Sequence, residues 1–474
     1  MERKKLQGEP DSCPPTKPQR YFLSFCLLRI ISVWVILTVC AMAFQDTGGV
    51  REGRSVSVSS DDERPRPRPF RKLGQGSFGA VFAHPMVPVI YKREIKSDSN
   101  WCWSIEGEYA MHKLISAAFD KWSLGEQGND TSLRVQIPFP HVLILTDSTN
   151  WWAQCSSRFP SDEPDFRDPS PTLQAERIPS LPQAVRHDLI NKFCAAGSVR
   201  VSMKTDPDND VCLLRLYLGR RAARSWKSCV DFQIHNFPCH VDQMRTLGLD
   251  THYIAAQLGR ALAVLHFEAG VDGRDVEFVL GAARHVPEKL AGEQQKGTSL
   301  TDDAGQARQR REEVTGLYSA ATIWCLDFEQ CQPISFSVDP LVPTSITPEQ
   351  TSLNTPTTTS ASVDPGTVKC IAAYFANDPY YPRPPQPELW ATFSRNYEDM
   401  AGQIGAEAAA TASRQQQCSE CSKSQNQSDP TAAAHVEDAP GGPDRTKSLA
   451  RAFIRGIEDT FKRAQIKRCL DDEG

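Results

Sequence analysis

Residues 271–281 (VDGRDVEFVLG) limit the chain most tightly, because four residues separate Asp272 from Glu277 and the short apolar run Phe278-Val279-Leu280 follows at once. In such a loop the first carboxylate can accept or orient a hydroxyl proton, while the second oxygen donor holds a metal and leads into a strand. A helix-length segment precedes it, starting at Asp250 or Thr251, with Ile254, Leu258, Leu262 and Leu265 as its buried stripe and Gly270 as its stop. Further on, residues 322–326 (TIWCL) have strand character and deliver Asp327-Phe328-Glu329, a metal-binding Asp-Phe-Gly pattern with glutamate in place of glycine.

The upstream half supplies the matching partners. Gly74-x-Gly76-x-x-Gly79 alone is as consistent with a chance turn or a dinucleotide-binding loop. A dinucleotide loop must run straight into a helix, however. Here Gly79 is followed by AVF, a turn at His84-Pro85 and the strand-like VIYK, so the glycines belong to a hairpin lying over phosphates. The phosphate loop of the Gly-Lys-Ser/Thr kind is excluded, since no such triplet follows. Lys92, 13 residues beyond Gly79, is either a surface lysine or the cation that grips the α- and β-phosphates. The second role needs a carboxylate on the next helix. Ser104 can cap a helix running to about Phe119, and Glu108 sits inside it; Glu106, nearer the start, suits a dipole role.

Together these elements predict an α+β, two-lobed protein-kinase-like fold over about Phe70 to Tyr397 (70–400). It would have an N-terminal β-sheet lobe plus helix, then a mainly helical C-terminal lobe with disordered insertions near 284–316 and 338–367. The expected activity is magnesium- and ATP-dependent phosphoryl transfer to an unknown small-molecule or protein acceptor. Asp272 would be the base, Gly74, Gly76, Gly79 and Lys92 would hold nucleotide, Glu108 would orient Lys92, and Glu277 with Asp327 would hold metal. Departures favour a second reading, a pseudokinase-type binding module. Gly270-Val271 replaces the usual His-Arg, Glu277 replaces asparagine, and Asp275 reads as a turn residue. Asp272, Glu277, Asp327 and Glu329 would crowd four negative charges around one site, and like charges raise one another's pKa unless a cation intervenes.

At this point the chain resembles a family of fungal kinase-like domains of unknown function, sometimes labelled zinc finger protein. The resemblance rests on LRLYLGRR (214–221), VDGRDVEFVLG (271–281), WCLDFEQC (324–331) and NDPYYPRP (377–384). It implies a fold similar to protein and aminoglycoside kinases and no established substrate. No Ala-Pro-Glu follows Asp327, so the protein-substrate platform of ordinary protein kinases is missing from the pattern.

The rest of the chain narrows the setting. A net charge of -5 and a pI near 6.1 give no reason to expect nucleic acid. Of 15 cysteines, Cys212, Cys325 and Cys370 lie in apolar runs as reduced core residues; Cys418 and Cys421 form a CxxC with no second pair at ligand spacing, so no zinc is expected. Residues 21–44 are almost wholly apolar over 24 residues, interrupted chiefly by Arg29, and follow Arg3, Lys4, Lys5, Lys17 and Arg20. This predicts a single-pass signal anchor with residues 1–20 cytoplasmic. The alternatives are a signal cleaved near Ala41-Met42-Ala43, or a stretch outside the mature protein with Met42 as a later start and a cytoplasmic location. Residues 45–69 read as a Pro/Arg linker, 150–170 as a surface excursion and 401–447 as low-complexity. Residues 448–474 read as a terminal helix with Leu449, Phe453, Ile457 and Phe461 on one face.

Overall fold

Successive residues of an extended strand face opposite ways. In β3 (Val89–Glu94) Ile90 and Lys92 therefore point to one side, Tyr91 and Arg93 to the other. The computed structural model describes residues 68–76, 79–95, 104–123, 133–160, 166, 168–194, 197–222, 232–284, 316–337, 363–424 and 443–472. All belong to one unit spanning Pro67–Gly474. Among them the fold is α+β, with two five-stranded sheets and nine α-helices.

The first sheet has the order β1-β2-β3-β6-β5, with β1 (Arg71–Gln75), β2 (Gly79–Ala83), β5 (Pro140–Ile144) and β6 (Thr172–Glu176), every pair antiparallel. Helix α1 (Ile105–Ser123) covers the Ile90 face, burying Ile105 with Leu173 and Ala175. Ser104 caps it, its Oγ accepting the Gly107 N–H at 3.0 Å.

An aromatic cluster covers the other face: Phe70, Phe82, Tyr91, Trp152, Phe159 and Phe166. Three of these come from the segment 150–170, expected to be a surface excursion; it instead contains α2 (Thr149–Cys155) and a tight turn (Ser156–Arg158). Its polar composition concealed apolar side chains that the sheet needs as cover. Arg93 is fully buried among them, its guanidinium 5.0 Å from the Trp152 ring centre and 4.8 Å from that of Phe159. The carbonyls of Phe166 and Asp168 accept its N–H groups.

The second half is mainly helical and also carries a second, mixed sheet of order β4-β10-β9-β7-β8. Its strands are β4 (Val135–Gln136), β7 (Leu214–Tyr217), β8 (Phe237–His240), β9 (Glu277–Ala282) and β10 (Ala321–Leu326). Helices α3 (Gln183–Phe193), α4 (Ser198–Thr205), α5 (Val241–Leu247), α6 (Thr251–Ala263), α7 (Pro365–Ala376), α8 (Pro387–Ser424) and α9 (Pro443–Asp472) complete this half. Asp250 caps α6, accepting the N–H groups of His252 and Tyr253, and a widened turn (Val264–Glu268) prolongs it. At Gly259 of α6 an added Cβ would lie 2.5 Å from the Phe393 carbonyl oxygen, so only glycine lets α8 pack this closely.

Segment expectations change in part. Residues 401–447 were expected to be low-complexity, yet α8 runs on to Ser424 and buries Ala401 and Ile404. The terminal helix starts earlier than 448, at Pro443, and Ala450, Phe453, Ile454 and Ile457 of α9 enter the main core. The insertion 338–367 ends earlier than expected, since α7 begins at Pro365 with Asp364 as its cap. The other expected insertion falls largely at 285–315, outside the described residues, as do 338–362.

The expected membrane localisation is withdrawn. Among the described residues no helix is long and apolar enough to cross a membrane, and the segment 21–44 itself lies outside them.

Candidate functional site

Residues Gly74, Gly76 and Gly79 belong to the β1–β2 hairpin, whose tip is closed by the Gly76 N–H donating to the Gly79 carbonyl at 2.8 Å. A Cβ at Gly79 would come 2.9 Å from the Arg93 carbonyl oxygen, so the missing side chain lets this end of β2 lie close against the β3 backbone, while the Lys92 stem, with Cγ 3.5 Å away, would be in ordinary contact. Lys92 Nζ then donates to Glu108 Oε1 at 2.9 Å, Asp327 Oδ1 at 2.7 Å and Glu329 Oε2 at 2.6 Å. Strand β3, helix α1 and the exit of β10 thus converge on one ammonium.

Asp327 adopts the left-handed region with φ 67°, a conformation aspartate tolerates better than most residues. Between the two acids, Phe328 turns inward against His112 of α1, ring centres 5.0 Å apart, which ties the β10 exit to the helix carrying Glu108. Burial disfavours the Lys92 ammonium, but Asp327, Glu108 and Glu329 more than offset it and hold its pKa well above the ordinary lysine value. Burial likewise raises Glu108 and Glu329, opposed by Lys92 and reinforced by the neighbouring carboxylates.

Asp272 lies in a second, separately built loop. Gly270, Gly273 and Asp275 all have positive φ, at 67°, 66° and 64°, so the backbone winds tightly around it. Its Oδ1 accepts the N–H groups of Gln332 at 2.8 Å and Arg274 at 3.1 Å. Buried His266 donates from Nε2 to the Asp272 carbonyl at 3.3 Å, leaving Nδ1 to accept the Tyr397 hydroxyl at 2.8 Å. Asn377 clamps the turn: Nδ2 donates to the Gly273 carbonyl at 2.7 Å and Oδ1 accepts the Asp275 N–H. Burial raises the Asp272 carboxyl, opposed by the two backbone donors.

Glu277 and Asp327 were expected to share a metal. Leu326, beside Asp327, pairs in register with Glu277, but the two carboxylates have different partners. Glu277 Oε1 meets Arg215 at 2.9 Å, whereas Asp327 meets Lys92. Burial pushes Glu277 up to about 7, against the pull of Arg215 and with reinforcement from Asp327 and Asp275.

The residues that reading the sequence missed are those whose role depends on a distant partner. Arg215 and Asn377 lie inside LRLYLGRR and NDPYYPRP, so their neighbourhoods stood out without their contacts. His266 stood in an apolar helix stripe with no local signal of its function.

Comparison with known proteins adds one finding. Residues 353–409 match the profile of a family of unknown function described as "Zinc finger protein". No curated protein and no solved structure matches the chain. The matched stretch covers α7 and the first part of α8, and it contributes both Asn377 and Tyr397 to the Asp272 loop.

This description corrects the expectation that zinc has no place here, since the family label points to it. The match lends nothing to the expected ATP and magnesium. The residues present do not fit a zinc-finger ligand set: the matched stretch contains one cysteine, Cys370, and no histidine. Cys370 is buried and its thiol is pushed up by desolvation, the reverse of what a thiolate ligand needs. Elsewhere among the described residues, Glu108, Asp327 and Glu329 bring ligand-type atoms within 4.8 Å of one another, but all are oxygens and Lys92 sits among them.

Proposed function

We propose that residues 70–400 form a two-lobed, kinase-like domain that binds the phosphates of a nucleotide and transfers a phosphoryl group to an acceptor. One observation carries this reading. Lys92, Glu108 and Asp327, from segments far apart in sequence, meet beside a glycine hairpin whose Gly79 lies against the lysine stem. In that reading the ammonium of Lys92 offsets phosphate charge and Glu108 fixes its direction. Asp272, held by two backbone N–H groups and the Asn377-clamped turn, orients the acceptor hydroxyl.

Phosphate release from ATP by the full-length protein, with a divalent cation supplied, tests this. Asp272→Asn is expected to abolish turnover while leaving nucleotide affinity within about twofold. Turnover equal to wild type would remove Asp272 from the chemistry. A second reading, a binding module that uses the fold for recognition, is favoured by the Glu277–Arg215 pair, which engages the second carboxylate of the loop in an ion pair. Nucleotide binding without turnover would select it.

A further inference from the structure

An ammonium group has three N–H donors and no acceptor. At Lys92 three carboxylates are within hydrogen-bonding distance: Glu108 Oε1, Asp327 Oδ1 and Glu329 Oε2. Three acceptors use all three donors. The lysine side chain is 14% exposed, so water has little access to the group. A phosphate oxygen can reach this nitrogen only by taking the place of one of the carboxylates.

The three reach the lysine in different ways. Glu108 is on α1 and only 5% exposed, and Asp327 emerges from β10 in a left-handed conformation that aims it at the lysine. Glu329 reaches Nζ from the turn beyond Phe328, through a side chain one methylene longer than that of Asp327. It also makes the shortest of the three contacts, at 2.6 Å. In the pattern Asp-Phe-Gly this position has no side chain, so the glutamate here adds a competing anion.

We infer that Glu329 occupies the seat of a phosphate group on Lys92 and so sets how tightly the site takes phosphoryl ligands. The ligand class rests on the nucleotide reading above; the occupied seat rests on the donor count alone.

The test is calorimetric titration of the full-length protein with inorganic triphosphate and, separately, with ATP, both in EDTA. Wild type is compared with Glu329→Gln, which removes the charge, and Glu329→Gly, which removes the side chain. Both variants are expected to bind triphosphate about tenfold more tightly than wild type, with glycine at least as effective as glutamine. Adding Lys92→Gln to either should cancel the gain. Tighter triphosphate binding without ATP binding in any variant would uphold the seat and remove the nucleotide reading. Equal ATP affinity in wild type and both variants would overturn the seat and leave the nucleotide reading standing. Absence of binding by either ligand in every variant would overturn both. Thermal melts identify a variant that fails to fold, and the other then decides.

Discussion

Around Lys92, four charged side chains from β3, α1 and the exit of β10 meet within hydrogen-bonding distance, and each depends on the charge of the others. Around Asp272 the supports are different: a neutral imidazole, a phenol, an amide and backbone N–H groups, packed into the main core. The first arrangement is held by electrostatics and so responds to protons and competing ions. The second is held by shape and by hydrogen bonds among groups that are neutral while His266 stays unprotonated. If both belong to one site, the adjustable half grips a ligand's charge while the rigid half fixes the geometry of a reaction.

Removing a support from the rigid half should produce the largest change. Phe453 of α9 lies 4.8 Å from the Tyr397 ring centre and 5.1 Å from that of His266, and is almost wholly buried. Phe453→Ala is expected to cost about 3–5 kcal/mol of unfolding free energy in a denaturant titration. A loss below about 1 kcal/mol would mean the terminal helix is not part of the frame.

Acidity separates the two modes of support next. Glu277, facing Arg215, Asp327, Asp275 and Lys92, is held at about 7 against an ordinary 4.5. Between those values the folded state binds more protons than the unfolded one, so this group's contribution to stability is full below about 4.5 and lost as pH rises to about 7. His266, buried beside Tyr397 and Phe453, is lowered from 6.5 to about 3. Its contribution is present above 6.5 and lost as pH falls towards 3. Unfolding measured across this range should show Glu277→Gln gaining on wild type as pH rises from about 4.5 to about 7, on the order of 3 kcal/mol in all. His266→Gln should gain on wild type in the opposite direction. Parallel curves would erase the distinction.

A smaller effect sharpens it. Asn377→Ala leaves the Gly273 carbonyl and the Asp275 N–H without their partner, an expected cost of about 1–3 kcal/mol. Hydrogen exchange should rise at residues 273–275 while the β3 amides stay protected. Equal loosening of β3 would show that the two regions are one cooperative unit.

How far the sequence could be read follows the same division. Lys92, Glu108 and Asp327 each sit on an element with its own local pattern, so their order along the chain was enough to suggest that they meet. Glu329 was visible as a departure from glycine, but its target was not, because the turn that points it at Lys92 leaves no periodicity. Arg215 and Glu277 are on strands that become neighbours only through the order β9-β7, and Asn377 reaches its turn across more than a hundred residues. The second sheet was hidden for a related reason. Strand β4 has two residues and β8 contains Pro238, too little in either for a pattern of alternation. In α8 an Ala- and Gln-rich stretch was read as low-complexity, although alanine is the strongest helix former.

Adjacent cations on β3 have one more effect. Lys92 fits a nest of carboxylates and Arg93 fits an aromatic box capped by two carbonyls, and neither residue suits the other's surroundings. A slip of the strand by one position would put a broad guanidinium beside the glycine hairpin, and would leave Tyr91 or Glu94 facing the wrong side of the sheet. The two neighbouring charges therefore act as a key cut on both edges: β3 can enter the sheet in one alignment, and errors of pairing are rejected as the strand docks.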